Sequence, residues 1–169
     1  MDYQFEKRIC QSAKNILVAG GFSAAQVFGQ AITNPETGTL DTMTPRVELK
    51  FSYGGVHEFD RKPIAGAGED NRTYFHRHQG VLQISVVTDR DWNLSSQSAW
   101  LNLIRKAMIF STDAQWLNAD GNGNWQGYDL EHFRPIASSY EMNTEKKQDI
   151  TREQYEVIFN APAADFTEA

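Results

Sequence analysis

Histidine spacing gives the first candidate site for metal chemistry. His76 and His78 are separated by one residue, and an i, i+2 pair on a strand places both imidazoles on one face, where they can share a metal ion. His57 and His132 can complete a ligand set only if folding brings them there. No HExxH motif or paired Cys/His spacing accompanies them. We therefore predict polar residues at the entrance of a strand, with no bound metal.

A second candidate is a stretch that superficially follows a calcium-binding loop. Oxygen-bearing side chains stand at its positions 1, 3, 5 and 12: Asp120, Asn122, Asn124 and Glu131. The sixth position requires glycine for a sharp turn but is occupied by Trp125, and Pro135 impedes the helix that should follow. These departures weigh against a calcium site.

The glycines of the same stretch predict a β-hairpin. Asp-Gly and Asn-Gly dipeptides are strong hairpin signals, and both occur between two tryptophans. A turn at Asp120-Gly121 would place Trp116 opposite Trp125, and this is the register we favour. A turn at Asn122-Gly123 would place Trp116 opposite Asp129.

Nucleophilic residues lack the surroundings that would activate them. Cys10 falls on a predicted helix with no basic cluster to lower the pKa of its thiol. No serine lies in an elbow motif, and no glycine pattern completes a phosphate-binding loop. We therefore predict no catalytic residue, no metal and no cofactor, and we do not expect an enzyme.

Length and charge narrow the class of protein further. The 169 residues are enough for one hydrophobic core, which we assign to residues 1–160, with 161–169 as a flexible tail. No apolar run is long enough to span a membrane, and the N-terminus lacks the layout of a secretion signal. The net charge is −6 with scattered cations, which disfavours wrapping of nucleic acid.

Hydrophobic periodicity predicts an α/β chain of the α+β type. A helix is expected over residues 3–18 and a short strand around 26–31. Alternating patterns predict longer strands over 46–53, 79–88, 130–142 (bent at Pro135) and 152–160. These elements form a mixed, mostly antiparallel sheet flanked by the N-terminal helix and a central apolar helix, together with the hairpin and a long loop over 54–73.

The central helix, residues 96–111, is the most apolar element, with Asn93 or Ser95 as its N-cap. Its apolar side chains sweep about half of the circumference, against roughly 100° needed to face one core. The surplus predicts that the chain associates with other copies through this helix and the edges of the sheet.

The loop at 54–73 is expected to be mobile alone and ordered by a neighbouring subunit, because its four glycines make fixing it costly. The alternative is a surface insertion without a role. With the central helix, it supplies the expected oligomer interface: Trp100, Ile104, Met108, Phe59, Arg61 and Asp70.

The order of these elements resembles the tail terminator proteins of tailed bacteriophages. The resemblance covers about residues 1–160 and rests on four segments beside the helix at Trp100–Phe110: Ala19-Gly20-Gly21-Phe22, Thr44 to Phe51, Gly80 to Val87 and Gln154 to Phe159. It implies a ring, commonly a hexamer, that caps the tail tube, ends its polymerisation and joins it to the head connector, with DNA passing through the channel.

That resemblance also implies a set of partners and a location. The partners would be further copies of the chain, the tail tube protein and the connector or neck protein, without a membrane. The location would be the tail or neck of a virion assembled in the host cytoplasm. Other interpretations are a different head–tail joining protein, a small metal-dependent enzyme using the sites above, or a monomeric binding module.

Overall fold

The computed structural model describes residues 4–29, 44–63, 74–112, 115–116, 129–145 and 147–162. At 4–7, 56–63, 74–76, 129–131 and 160–162 it describes the backbone alone. Neither α-helix in this part of the chain is long and apolar enough to cross a membrane.

The described chain has two α-helices and five strands, and a short 3₁₀ helix, Ala24–Gln26, stands between the first helix and the first strand. In order, they are α1 (Gln4–Ala19), β1 (Val27–Gly29), β2 (Arg46–Pro63), β3 (Tyr74–Asp89), α2 (Leu94–Ile109), β4 (Asp129–Asn143) and β5 (Gln148–Pro162). The strands form one sheet in the order β1-β2-β3-β5-β4. Only β1 pairs in parallel, and the other three pairs are antiparallel. The predicted α+β fold with a mixed, mostly antiparallel sheet is confirmed.

The two helices cover one face of the sheet. α1 packs against β1 and β2, and α2 packs against β3 and against α1. Alternate residues of β2, β3 and β5 meet them in a single core, as the period of two predicts. The largest fully buried side chains of this core are Tyr155, Phe51, Phe159, Leu17, Leu82, Ile84, Ile104 and Met108.

The opposite face of the sheet carries several polar pairings beside the buried apolar residues Val87 and Ile158. Arg46 and Glu48 form an ion pair at 2.8 Å on β2, and Gln154 donates a hydrogen bond of 3.2 Å from Nε2 to the Oε1 atom of Gln83. Arg134 of β4 pairs with Glu156 of β5 at 3.3 Å. Arg46 is itself buried, so this face is only partly open to water.

Most predicted elements are confirmed. The helices expected over 3–18 and 96–111 are α1 and α2, and the strand over 79–88 lies within β3, the central strand of the sheet. The bend expected at Pro135 is an irregularity in the pairing of β4 with β5, between Pro135 and Ala137. β5 continues to Pro162, past the expected boundary at 160, and residues 163–169 lie outside the described chain.

The prediction of a structureless loop over 54–73 is wrong for its first ten residues. β2 continues through Pro63, where it pairs with Tyr74 at the start of β3. Gly54 and Gly55 are a bulge in this long pair, since the register shifts there and Gly55 has φ 105°. Residues 64–73 lie outside the described chain.

The predicted hairpin strand is also wrong at Trp116. This residue lies in a helical turn after α2 and is buried. Its Nε1 atom donates to Ser111 Oγ at 2.9 Å, and its carbonyl oxygen accepts from Ser12 Oγ at 2.7 Å. Its ring packs against Phe133 at 5.2 Å between centroids. Trp125 and both proposed turns lie within residues 117–128, outside the described chain.

Candidate assembly surfaces

His78, one of the candidate metal ligands, is a core residue. It is buried, its ring stacks on Phe159 at 5.5 Å, and its Nδ1 atom lies 2.6 Å from the hydroxyl oxygen of Tyr53. His132 lies on the edge strand β4, and its Nε2 atom is 3.2 Å from Glu156 Oε1. Within the described ranges, no three His, Cys, Asp or Glu side chains lie close enough to hold a metal ion. Among the histidines whose side chains are described, His78 and His132 are therefore not brought together, and only the backbone is described at His57 and His76.

The other two candidate sites are Cys10 and the calcium-like loop. Cys10 is buried in the core on α1. Residues 120–128 of the loop lie outside the described chain, and only the backbone is described for its last three residues, 129–131.

The helix α2 is capped and anchored by polar contacts. The Asn93 side chain accepts from the Ser95 amide at 2.7 Å, which confirms Asn93 as the N-cap. Further along, Arg105 pairs with the buried carboxylate of Glu153 on β5, which also accepts from Ser138 Oγ at 3.2 Å. The helix is therefore fixed in position over the sheet.

The inner side of α2 belongs to the core of the subunit. Ile104 and Met108 are fully buried there. Trp100 is partly buried and makes edge-on contacts with Phe22 and Trp92, each at 5.1 Å between centroids. Ile104 and Met108 therefore offer no surface to a neighbouring subunit, which corrects our choice of these two residues for the interface.

The outer side of α2 exposes other apolar residues. Leu103, Ile109 and Phe110 are exposed, and Phe110 keeps 74% of its surface accessible. The helical period alone does not show which residues of the wide apolar arc face the core, because Leu103 and Ile104 both lie within that arc. Leu103, Ile109 and Phe110 therefore account for the part of the apolar arc that does not face the core.

A groove of about 410 Å³ runs between α1 and this outer side of α2. The Cβ atom of Ala107 lies 3.0 Å from where a Cβ on Gly20 would stand, so a glycine is suited to the close approach of the two helices. We call this surface the helix groove, and it is lined by Ile16, Ala19, Gly20, Leu103, Lys106, Ala107, Phe110 and Gln115.

A second apolar surface lies on β4, the strand at one edge of the sheet. From Arg134 to Met142 every side chain of this strand is exposed. Ile136, Tyr140 and Met142 are large and apolar, and we call them the edge patch. The Tyr140 hydroxyl donates to Asp149 at 2.8 Å, and this bond is the main cause of the raised pKa of Tyr140.

The remaining residues of the expected interface lie at or beyond the ends of the described strands. Phe59 and Arg61 are on the far part of β2, where only the backbone is described, and Asp70 lies outside the described chain. Their role as interface residues stays a prediction.

Comparisons with known proteins show the fold. No protein-family model and no curated protein sequence matches the chain. Among solved structures, it is similar to a chain in the virion of a native gene transfer agent particle, with 12% sequence identity and a TM-score of 0.50. The match covers 95% of this chain and 100% of the other. This chain therefore shares the α+β fold of a protein found in a virion.

Proposed function

We propose that the protein is a structural component of a virion and serves there as a tail terminator. Copies of the chain form a ring, a hexamer in this proposal, that caps the tail tube and joins it to the head connector. The observation that carries the proposal is the match over the whole length of a chain from a virion particle. The order of elements, which resembles tail terminator proteins, supports the finer role.

The two apolar surfaces of the subunit support assembly. A groove and an edge patch that expose Phe110, Leu103, Tyr140 and Met142 are costly on a protein that stays alone in water. Covering them with other copies removes this cost, and closed symmetric assemblies do so for every subunit at once.

The charge of the chain suits a ring through which DNA passes. At −6 and with scattered cations, the chain has little capacity to neutralise a row of phosphates. DNA then moves through the channel without being held. The proposal assigns no catalytic residue or cofactor, and it places the protein at the tail–neck junction of a virion assembled in the host cytoplasm.

The outer end of the β2–β3 pair is the proposed joining element. It carries Phe59, Arg61 and the connecting residues 64–73, among them Asp70. Charged side chains at such a tip set register and choice of partner more than affinity. Replacing 64–73 with a short turn should leave the fold and the ring intact but stop docking on tails. Unchanged docking would make this tip a surface insertion without a role.

Removal of the gene from the producing genome tests the proposed function. Electron microscopy should show tail tubes of variable and excessive length that carry no heads, because nothing ends their growth. Tubes of normal length without heads would instead assign the protein to another joining step in the neck. Normal virions would contradict both roles.

A further inference from the structure

The helix groove and the edge patch do not overlap. The groove lies on the solvent side of the helix pair, and α1 packs over β1 and β2. The patch lies on β4, the strand at the other edge of the sheet. A contact that uses one patch twice gives a two-fold dimer, whereas a contact between two different patches is head-to-tail and gives a ring or a filament.

The charged residues at the two surfaces favour one of these arrangements. Lys106 is the charged residue among those that line the groove, whereas Asp149 and Glu141 lie beside Tyr140 and Met142 at the edge patch. Docking groove to groove would bring Lys106 of one copy towards Lys106 of the other, and like charges repel each other. Docking the groove against the edge patch of another copy brings Lys106 towards these carboxylates instead.

The chemistry of the two surfaces is also complementary. Three residues lining the groove are small, namely Ala19, Gly20 and Ala107, and the larger apolar side chains of Leu103 and Phe110 line it beside them. The edge patch offers long apolar side chains in Tyr140 and Met142. Apolar surfaces of this kind are stabilised by mutual burial at roughly 25 cal/mol per Å².

We propose that the helix groove of one copy receives the edge patch of a second copy. Tyr140 and Met142 of the second copy pack between α1 and α2, against Leu103 and Phe110. The contact is head-to-tail, and each subunit of a closed ring uses both surfaces. This inference rests on the proposed ring and names the residues that build it.

Cysteine cross-linking on the full chain tests the contact. In a Cys10→Ala background, Gln115→Cys marks the groove and Thr144→Cys, two residues after Met142, marks the edge patch, so Phe110 and Met142 keep their side chains. Each variant alone should stay at 19.2 kDa when treated with a short bis-maleimide, and only their mixture should give a band at twice that mass. Leu94→Cys is the matched control, because Leu94 is exposed on α2 outside both surfaces.

Other results overturn the contact in different ways. A dimer band from Thr144→Cys alone would show that two β4 edges pair with each other across a two-fold axis. A mixture that yields no more dimer than the Leu94→Cys control would exclude the groove as the docking site. Circular dichroism of each variant confirms that it is folded. If rings of the wild-type chain are seen while the mixture fails, only this contact is wrong; if no rings form, the proposed ring fails too.

Discussion

The inner and outer sides of α2 both carry large apolar residues but meet different surroundings. Ile104 is fully buried against the sheet, whereas its neighbour Leu103 lines an open groove with 38% of its surface exposed. Inner residues such as Ile104 therefore stabilise the fold of the subunit, whereas outer residues such as Leu103 are available for assembly. Full burial of such a side chain contributes about 1.5–3 kcal/mol to stability. The outer residues obtain a comparable contribution only when another protein covers them.

The largest loss of stability is expected from a substitution on the inner side of α2. Ile104→Ala should lower the free energy of unfolding by about 2–5 kcal/mol, because it removes buried methyl groups and leaves a cavity. Leu103→Ala, the matched change on the outer side, should cost less than about 1 kcal/mol in the isolated subunit. Urea denaturation of both variants measures the difference. Equal losses would show that the two sides are not distinct.

The sheet beneath α2 should be nearly as intolerant of added volume. A Cβ at Gly80 of β3 would stand 2.2 Å from the Cζ atom of Phe51, which is buried on β2. Gly80→Ala should therefore cost about 1–3 kcal/mol, typical of overpacked cores. Phe51→Leu in the same chain should recover part of the loss, since it removes the ring that the new methyl group meets. No recovery in denaturation experiments would place the strain elsewhere.

Tyr155, a core residue of β5, makes the stability of the fold depend on pH. Burial raises its pKa from 10.0 to about 12, and the nearby Glu153 carboxylate adds to the shift. Below pH 10 the phenol is protonated in both folded and unfolded chains. Between pH 10 and 12 only the unfolded chain loses the proton, so stability falls by about 1.4 kcal/mol per pH unit.

Tyr155→Phe should remove that part of the alkaline decline. Because the Tyr155 hydroxyl has no hydrogen-bond partner within the described residues, the change should be neutral or slightly stabilising at pH 8. A residual slope is expected from Tyr53, whose pKa is also raised by burial. Thermal melts from pH 8 to 11 measure both slopes. Identical curves for wild type and variant would contradict this assignment.

The elements were predictable from the sequence, but their exposure was not. Alternation along Val47, Leu49 and Phe51 identified a buried face, because a strand period of two needs no tertiary information. The wide arc of α2 identified a surplus of apolar residues. The width of the arc did not show which of its residues form the core. Leu103 and Ile104 both lie within it, and only the packing of α2 on the sheet determines which of the two is buried.

The sequence misled at two places for physical reasons. The Gly54-Gly55 pair has the composition of a strand end, yet pairing with β3 continues past it through a bulge. Trp116 was assigned to a strand because hairpin signals follow it. Its contacts with Ser12 and Phe133 are 104 and 17 residues away, and local pattern carries no record of them.

The smallest effect on stability is expected on the outer side. Phe110→Ser should change the free energy of unfolding by less than about 0.5 kcal/mol, because the side chain is already 74% exposed. The same change should weaken self-association at least about tenfold if a neighbouring copy buries this ring. Leu94→Ser, at the opposite end of α2, is the control and should change neither quantity.

Native mass spectrometry of the wild-type chain beside Phe110→Ser tests most directly whether the outer side of α2 assembles copies of the protein. Across micromolar concentrations, the wild type should give closed assemblies at a multiple of 19.2 kDa, six-fold for the proposed hexamer. Phe110→Ser should remain at the mass of one chain while Leu94→Ser assembles like the wild type. A wild type found only at 19.2 kDa, or a Phe110→Ser variant that assembles as well as the wild type, would contradict the account.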